Sequence, residues 1–413
     1  MSELLTSAGY EKATGSQADI CIINSCTVTA TGDSKCRKLI HRTRRENPNA
    51  VIVLCGCMPQ AFGDDIELFG DCDIVLGNTD RRSIVSVLDS YFRNRERLVH
   101  IEPHVNGESF ENMSLSSFDG HTRAFVKIED GCNRFCSYCI IPYARGRVRS
   151  KPIDELKYEA SRLAIAGYKE IVLVGINLSA YGQELDLDIA DAVSAVCSVK
   201  GVERVRLGSI EPERMTEDIL LRLAAEEKFC PHFHLSLQAG CDATLKRMRR
   251  HYDTAEYARI VGDIRKIFDG PAITTDVMVG FVGETDDDFE SSVAFCDSIG
   301  FAKTHVFPYS VRKGTAAERM DGHIDERIKH IRADIMIAHA AERQREFMLS
   351  QVGRVSSVLI ERYSDGCSEG YTPNYTKVRI PGESLSDGSV YNVRLTEAYD
   401  DYCVGEVVES DDR

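Results

Sequence analysis

The sequence lacks several features that would place it in common classes of protein. It has no uninterrupted apolar run long enough to span a bilayer, and Met1–Leu5 shows no basic region followed by an apolar run. It also lacks an excess of positive charge, because its formal net charge is -15 at pH 7. We therefore expect a cytoplasmic protein without membrane association, and one that does not coat nucleic acid through bulk electrostatic attraction.

The cysteines lack the regular pattern of a disulfide framework. There are 15, an odd number, in a chain of 413 residues. A chain of this length is too long for one compact core and predicts roughly two to three domains. In a large protein without a disulfide framework, this many cysteines indicate metal or redox chemistry. Four cysteines in apolar contexts are expected to be buried as small hydrophobic side chains: Cys197, Cys230, Cys296 and Cys403.

What the sequence does contain is a tight group of three cysteines near its middle. Cys132, Cys136 and Cys139 follow the spacing C-x3-C-x2-C. A tetrahedral zinc site would need a fourth protein ligand, whereas an iron-sulfur cluster can be held by three thiolates while its fourth iron binds a substrate or cofactor. Basic residues nearby favour the thiolate form. The motif predicts an iron-sulfur site, since cysteines that merely fill a core do not require this spacing.

Residues 1–105 alternate helical and strand patterns and predict an open parallel α/β sheet. Buried strands are predicted at residues 19–24, 50–54 and 73–76. Ligands of such sheets bind beyond the carboxyl ends of the strands, and Cys26 and Cys57 each follow one of these ends. They are candidates for a second metal site, with buried or incidental thiols as the alternative.

A polar stretch without periodicity at residues 106–121 is predicted to be a linker. After it, strand and helix patterns alternate six times over residues 122–348, which predicts a partial barrel with its site at the carboxyl ends of the strands. The predicted strands cover residues 124–128, 170–175, 205–209, 232–237, 273–279 and 304–308. Polar residues that end these strands are expected to face one cavity: Asn177, Ser209, Glu211, Ser236, Gln238, Asp276 and His305. For each of them, capping of a strand end is the alternative.

Residues 349–413 carry short alternating strands separated by turn residues and predict a small five-stranded antiparallel barrel. Such barrels often bind oligonucleotides, although acidic residues outnumber basic ones in this segment. Tyr371, Tyr375 and Lys377 are predicted to supply local stacking and phosphate contacts to RNA.

These features together resemble the radical S-adenosylmethionine methylthiotransferase family over essentially the whole chain. The resemblance rests on four stretches: Asn24–Thr29, Cys55–Gln60, Gly131–Arg145 and Gly280–Thr285. Within the family, Thr122–Asn133 and Cys139–Gly146 look most like the branch that acts on N6-threonylcarbamoyladenosine in tRNA. The resemblance implies an N-terminal α/β methylthiotransferase domain (1–105), a linker (106–121), a radical SAM partial barrel (122–348) and a TRAM barrel (349–413).

By position, the resemblance also implies roles for individual residues. Cys132, Cys136 and Cys139 would hold a 4Fe-4S cluster that binds S-adenosyl-L-methionine, and Cys26 and Cys57 would hold an auxiliary 4Fe-4S cluster. The implied S-adenosylmethionine pocket comprises Tyr138, Asn177, Ser209, Glu211, Gln238 and Asp276. The implied substrate contacts are Arg145, Tyr371, Tyr375 and Lys377.

The chain departs from the resembled family at its start. The usual third auxiliary cysteine lies in a turn after a first strand, upstream of the helix that is predicted to end at Gly9. We expect either a start farther upstream that supplies this strand and cysteine, or an incomplete auxiliary cluster. Cys21 and Cys55 are poor substitutes because they lie within or at the end of predicted buried strands.

The resemblance implies transfer of a methylthio group to C2 of N6-threonylcarbamoyladenosine next to the anticodon. One S-adenosylmethionine would supply the methyl group and a second the radical that takes hydrogen from C2. The implied partners are the tRNA anticodon loop, an electron donor such as flavodoxin or ferredoxin, and a sulfur source. Two alternatives stay open: a related enzyme that modifies isopentenyladenosine in tRNA or an aspartate of a ribosomal protein, and a catalytically impaired RNA-binding metalloprotein.

Overall fold

A computed structural model describes residues 1–15, 17–27, 29–63, 65–79, 81–113, 120–382 and 384–409. Most of the second half of the predicted linker, residues 114–119, lies outside these ranges, as does Val28 of the Asn24–Thr29 motif. The chain forms two compact units. The first comprises Met1–Leu115, Asp130–Arg149 and Ser310–Arg319, and the second comprises Ser116–Glu129, Ser150–Tyr309 and Met320–Arg413. Among the helices of the described ranges, none has the length and apolar character needed to cross a membrane.

The first unit is built on a parallel four-stranded sheet whose strands follow one another in sequence order. Its elements up to the fourth strand are α1 (Ser2–Ser7), β1 (Ile20–Ser25), α2 (Ala30–Glu46), β2 (Val51–Gly56), α3 (Cys57–Ala61), β3 (Ile74–Leu76), α4 (Ile84–Asn94) and β4 (Leu98–His100). This confirms the predicted open parallel sheet. The sequence patterns missed β4 because it is three residues long and its last two residues are exposed, so it has no apolar run.

Strand β2 lies at the centre of this sheet with all six residues buried. Ile52 and Leu54 belong to one apolar cluster, whereas Val51 and Val53 belong to another. Because successive side chains of a strand point to opposite faces, the two clusters cover the two faces of the sheet. Burial on both faces explains why the sequence of β2 is a continuous apolar run rather than an alternating one.

Two later segments complete the first unit: residues 130–149, which include α5 (Ile141–Arg145), and residues 310–319. Arg312 of the second segment is buried and pairs with Asp33 of α2 at 2.5 Å. It also donates to the hydroxyl of Thr27, which itself donates to Asp33 at 2.8 Å. This buried network ties the loop that follows β1 to the start of α2.

Replacing Thr27 by valine is expected to destabilise the protein by about 1–3 kcal/mol, since a buried arginine and a buried carboxylate would each lose a hydrogen-bond partner. The shape of the side chain is preserved, so the effect reports the hydroxyl. Thr31→Val is the matched control, because Thr31 is an exposed residue of α2 and the same change there should cost less than about 0.5 kcal/mol. Urea unfolding measures both. Equal unfolding midpoints for the two variants would contradict a structural role of the Thr27 hydroxyl.

The second unit contains seven parallel strands in two hydrogen-bonded sheets, and two of the seven are parts of one predicted strand. In chain order the strands from Arg123 to Pro308 are β5 (Arg123–Lys127), β6 (Glu129–Asp130), β7 (Arg149–Ser150), β8 (Glu170–Val174), β9 (Arg204–Leu207), β10 (Ser209–Ile210), β11 (His232–Leu235), β12 (Ala272–Val279) and β13 (Lys303–Pro308). The order is β5-β8-β9 in one sheet and β10-β11-β12-β13 in the other, while β6 and β7 pair separately. This confirms the predicted partial barrel of six β/α units.

The strand predicted at 205–209 is interrupted at Gly208, which separates β9 from β10. The Gly208 amide donates to the carbonyl of Leu173 at 2.9 Å, and a β-carbon at this position would lie 3.3 Å from the same oxygen. The helices that connect and follow the strands are α6 (Ile153–Ile165), α7 (Ile189–Cys197), α8 (Glu217–Ala224), α9 (Asp242–Arg247), α10 (Thr254–Ile267), α11 (Asp286–Ile299) and α12 (Glu326–Gln351). Short 3-10 helices occur at Ile66–Phe69, Arg81–Ser83, Leu178–Ala180, Gln183–Leu185, Pro212–Arg214 and Ala317–Arg319.

The chain ends in a small closed barrel of five strands, as predicted. The strands are β14 (Val355–Ser364), β15 (Cys367–Tyr371), β16 (Lys377–Pro381), β17 (Val390–Ala398) and β18 (Cys403–Val407). Four of the pairings are antiparallel, but β16 and β18 pair in parallel where the barrel closes. Its core packs against Met348 of α12.

A buried charge cluster lies where this barrel meets the strands of the second unit. Glu170, at the start of β8, accepts from Arg206 Nε at 2.8 Å and from Arg204 Nη1 at 3.3 Å. The two arginines also donate to main-chain carbonyls of the small barrel, Arg206 to Pro373 at 2.8 Å and Arg204 to Tyr371 at 3.0 Å. One carboxylate therefore holds two arginines in position to bind the backbone of the small barrel.

Candidate functional site

The three central cysteines lie in the loop between β6 and α5, within the first unit. The Cys132 amide donates to the Gly146 carbonyl at 3.0 Å, and the Cys139 amide donates to the Cys136 carbonyl at 3.0 Å. Gly131 adopts a φ of 92°, and a β-carbon there would lie 2.0 Å from the carbonyl oxygen of Arg147. The tight closure of the loop therefore requires glycine at this position.

Cys136 is buried, while Cys132 and Cys139 are half-buried, so the loop presents thiols in a partly enclosed environment. Within the described ranges, no group of three or more His, Cys, Asp or Glu side chains is arranged around a single ion position. Cysteine ligands of an iron-sulfur cluster each bind a different iron atom, so their sulfur atoms stand farther apart than the ligands of one ion. The donor set, three thiols in one loop, fits a 4Fe-4S cluster whose fourth iron is left for a cofactor.

The two candidate auxiliary cysteines follow the carboxyl ends of two neighbouring strands of the first sheet. Strands β1 and β2 are neighbours and parallel, and Ser25 pairs with Gly56 at their carboxyl ends. Cys26 follows Ser25 and is exposed, and Cys57 follows Gly56 and is buried as the first residue of α3. Gly56 has a φ of 103°, and a β-carbon there would lie 2.4 Å from the Ser25 carbonyl oxygen, so the two strand ends approach as closely as their backbones allow.

The helix that begins at Cys57 packs against the helix that follows the three central cysteines, α3 against α5. Arg145, at the end of α5, donates from Nε to the Sγ atom of Cys57 at 3.1 Å. Its Nη1 atom lies 3.4 Å from Asp130 Oδ2, and the neighbouring Ala144 carbonyl accepts from Asn78 Nδ2 at 2.7 Å. Both groups of cysteines therefore belong to one compact unit, although they are far apart in sequence.

Three arginines are engaged inside the protein, among them Arg145, for which the resemblance implies substrate contact. The Arg145 side chain is 18% exposed and contacts Cys57 and Asp130, and Arg149 lies 3.2 Å from Glu108. The Arg250 side chain is buried against Glu211, and its Nε atom lies 3.0 Å from the Tyr252 hydroxyl. Sequence patterns missed these roles because buried arginines are rare and their acidic partners lie far away in the chain.

The four cysteines predicted to be buried are buried, which confirms that prediction: Cys197, Cys230, Cys296 and Cys403. Burial raises the pKa of Cys296 to about 12 and that of Cys403 to about 11, so both are neutral thiols at physiological pH. Cys55 is similar, because burial raises its pKa to about 11.

In the second unit, polar residues follow the carboxyl ends of several strands. Asn177 comes after β8, and its backbone N–H group donates to Glu129 Oε2 at 2.6 Å. Its Oδ1 atom is buried and has no hydrogen-bond partner among the described residues. Glu211 is held by its ion pair with Arg250, and its amide donates to Ser179 Oγ at 2.6 Å. Buried, fixed polar groups with an unused acceptor are suited to bind a polar ligand.

The other residues implied for the S-adenosylmethionine pocket differ in their placement. Ser209 Oγ lies 2.9 Å from Ser236 Oγ, and Gln238 adopts a left-handed φ of 68° just after β11. Asp276 lies in the middle of β12 rather than at its end, with Oδ2 at 3.4 Å from His234 Nε2. Tyr138 belongs to the cysteine loop of the first unit.

The second unit also contains a cavity of about 540 Å³ lined by residues of its parallel strands, of α12 and of the small barrel. Of the residues implied for the S-adenosylmethionine pocket, Ser209 lines it. The implied RNA contacts Tyr371, Tyr375 and Lys377 line it as well. The Tyr375 ring stacks on Tyr371 at 4.7 Å and on His232 at 4.9 Å between ring centroids. Contact of these side chains with RNA stays a prediction.

Two family models match the chain. One describes the radical SAM superfamily and matches residues 126–296, and the other describes the uncharacterized protein family UPF0004 and matches residues 1–77. Among solved structures, the radical S-adenosylmethionine methyltransferase TsrM from Kitasatospora setae has a TM-score of 0.55 at 15% identity. That match covers 85% of this chain and 68% of TsrM, and it shows a shared fold.

Curated relatives match over nearly the full length. The threonylcarbamoyladenosine tRNA methylthiotransferase MtaB of Bacillus subtilis is 37% identical, over 98% of this chain and 92% of the relative. MtaB of Thermotoga maritima is 36% identical, over 96% of this chain and 90% of the relative. The tRNA-2-methylthio-N(6)-dimethylallyladenosine synthase of Pelotomaculum thermopropionicum is 34% identical, over 96% and 91%. The chain therefore belongs to the radical S-adenosylmethionine methylthiotransferase family, as its motifs predicted.

Proposed function

We propose that this protein is a tRNA methylthiotransferase that adds a methylthio group to C2 of N6-threonylcarbamoyladenosine next to the anticodon. The observation that carries the proposal is the association of both cysteine groups in one compact unit, with Arg145 in contact with Cys57. An enzyme that forms a carbon-sulfur bond with two clusters needs both near one another. The MtaB relatives, at 34–37% identity over at least 90% of this chain, support the substrate.

In this proposal, Cys132, Cys136 and Cys139 hold the radical cluster, and Cys26 and Cys57 are ligands of the auxiliary cluster. The clusters and S-adenosylmethionine supply the radical and methyl-transfer chemistry when bound. Asn177 Oδ1 accepts from a polar group of the cofactor, while Glu129 and Arg250 hold Asn177 and Glu211 in place. Contact of S-adenosylmethionine with the remaining implied residues is also part of the proposal: Tyr138, Ser209, Gln238 and Asp276.

The proposal also includes where the protein acts and which partners it needs. The protein acts in the cytoplasm on the tRNA anticodon loop, where an unpaired adenosine can leave its stack at low cost. Electrons come from a donor such as flavodoxin or ferredoxin, and a sulfur source supplies the transferred sulfur. We keep the division into a methylthiotransferase domain (1–105), linker (106–121), radical SAM barrel (122–348) and TRAM barrel (349–413) as part of the proposal.

Expression of the chain in a bacterial strain that lacks its own enzyme for this step tests the substrate. We expect tRNA nucleosides to show conversion of N6-threonylcarbamoyladenosine to its 2-methylthio derivative, measured by liquid chromatography and mass spectrometry. The matched control is the Cys136→Ala variant, which should give none, because a ligand of the radical cluster is removed.

Other outcomes would identify the alternatives. Methylthio groups on isopentenyladenosine instead would assign the activity of the Pelotomaculum relative, and a modified ribosomal-protein aspartate would assign a protein substrate. Modification of none of these, together with retained tRNA binding and no reductive cleavage of S-adenosylmethionine, would favour an RNA-binding metalloprotein without catalysis.

A further inference from the structure

An aromatic and cationic group of side chains is exposed on the segment that carries the three central cysteines. Tyr143 is 57% exposed while its neighbours in α5, Pro142 and Ala144, are buried, so its ring is directed away from the core. The Tyr143 ring meets that of Phe135 edge to face, with 5.7 Å between ring centroids. The guanidinium of Arg147 lies over the Phe135 ring, 4.9 Å from its centroid. Phe135, Tyr143 and Arg147 therefore form one continuous patch, the cysteine-loop surface.

The backbone around this surface is fixed by hydrogen bonds. The Arg147 carbonyl accepts from Arg149 Nη1 at 3.1 Å, and the N–H group of the next residue, Val148, donates to Asn133 Oδ1 at 3.4 Å. Phe135 adopts a left-handed φ of 52°, which is unfavourable for a residue with a bulky side chain and is maintained only by its surroundings. The surface is thus already formed before a ligand arrives, which reduces the entropy that binding costs.

Arg147 differs from its neighbours Arg145 and Arg149 in the way its charge is used. Those two arginines lie 3.4 Å from Asp130 and 3.2 Å from Glu108, respectively. Arg147 is exposed, and among the residues that the structure describes no acidic side chain pairs with its guanidinium. A guanidinium that lies over an aromatic ring keeps the N–H groups along its edge available, and these match the oxygen atoms of a phosphate. An exposed tyrosine next to such a cation supplies the stacking that unpaired bases use.

We propose that the cysteine-loop surface binds the anticodon loop of the substrate tRNA, with Tyr143 stacked on an unpaired base that neighbours the modified adenosine and Arg147 paired with a phosphate. The inference rests on the proposed function, because it takes tRNA as the substrate. The surface lies on the loop that carries the three central cysteines, so the RNA segment that reaches it is the one that brings the adenosine to this loop. Since the net charge of the chain is -15, RNA binding requires local contacts of this kind rather than general attraction.

The test measures the affinity of the reconstituted full chain for a labelled RNA hairpin by fluorescence anisotropy, without a reductant. The hairpin loop carries unpaired N6-threonylcarbamoyladenosine. We expect Tyr143→Ala to weaken binding on the order of tenfold, because one base loses its aromatic partner, and Tyr143→Phe to bind as the parent does. Arg147→Gln should weaken binding and reduce the slope of log affinity against log salt concentration by about 0.7, the contribution of one phosphate contact on a single strand.

Tyr158→Ala and Arg162→Gln are the matched controls. Tyr158 of α6 is 65% exposed and Arg162 lies over its ring at 5.9 Å, but this pair belongs to the second unit and not to the cysteine loop. Both controls should bind the hairpin with the affinity of the parent. Urea unfolding checks that the Tyr143 and Arg147 variants are folded, and their midpoints should match that of the parent because both side chains are exposed.

Parent affinity in both Tyr143→Ala and Arg147→Gln would overturn the proposal, and weaker binding of flavodoxin in the same variants would then assign the surface to the electron donor. A loss of affinity that disappears with unmodified adenosine in the loop would also contradict it, because the surface would then bind the threonylcarbamoyl group. A parent protein that binds the hairpin no more tightly than a duplex would refute the proposed function together with this inference. Unchanged variants alone leave the result of the nucleoside assay intact, so the two failures are distinguishable.

Discussion

Cys132→Ala is expected to abolish reductive cleavage of S-adenosylmethionine and all methylthiolation of tRNA. The loop supplies three thiols that are held by backbone hydrogen bonds, and the loss of one leaves two protein ligands for a cluster that needs three. Reconstituted variant protein should hold about four fewer iron atoms per chain than the parent, the content of one 4Fe-4S cluster. Iron analysis and detection of 5'-deoxyadenosine after reduction measure the two effects.

Cys367→Ala is the control for this variant. Cys367 is a half-buried cysteine of β15 in the small barrel, and it belongs to the second unit. The change removes a thiol of similar exposure to Cys132, so it should leave the iron content and the cleavage rate unaltered. Cleavage of S-adenosylmethionine by Cys132→Ala at the parent rate would refute the assignment of the central loop as the radical site.

Glu170→Gln is expected to have the largest effect on stability. The Glu170 side chain is 1% exposed and pairs with Arg204 and Arg206, which bind main-chain carbonyls of the small barrel. Removing its charge leaves buried arginines without their counter-ion, which costs about 3–5 kcal/mol. Urea unfolding monitored by circular dichroism should show a lower midpoint, and the transition of the small barrel should move with it.

Glu170 also makes the free energy of unfolding depend on pH. Burial by itself would raise the pKa of Glu170, but Arg206, with smaller contributions from Arg204 and Arg123, outweighs it and holds the pKa below its ordinary value. A carboxylate with a lowered pKa in the folded state stabilises the protein above the pKa of the unfolded chain, about 4.3 for glutamate. This stabilisation is lost as the pH falls through the folded-state pKa. The difference in stability between the parent and Glu170→Gln should therefore shrink below about pH 4.3.

Glu203→Gln provides the comparison for both measurements. Glu203 precedes β9, is 47% exposed on its side chain and pairs with Lys169 at 3.1 Å. An exposed pair of this kind contributes about 1 kcal/mol or less, so the unfolding midpoint should hardly change. Equal destabilisation by the two variants would contradict the structural role assigned to Glu170.

Much of the fold was predictable because it depends on local apolar patterns. The continuous apolar run at β2 predicted a strand covered on both faces, and the six strand-helix repeats predicted the partial barrel. Elements without such a pattern were missed or altered. Strand β4 is short and exposed at its end, and β9 and β10 are separated at Gly208 although the sequence pattern there is continuous. The parallel pairing of β16 with β18 depends on how the barrel closes.

The cysteine motifs were predictable by themselves, since their spacing and their positions after strands are properties of the chain. The sequence alone determined that this protein carries a loop with three closely spaced cysteines and a separate pair of strand-end cysteines, and it determined the family to which the chain belongs. Only the tertiary structure decided that the two cysteines follow neighbouring strand ends, through the β1–β2 register, and that Arg145 reaches Cys57. It also decided that Arg145, Arg149 and Arg250 are engaged inside the protein. The reason is physical: whether a charged side chain is exposed depends on partners that packing brings from distant parts of the chain, and no local pattern records them.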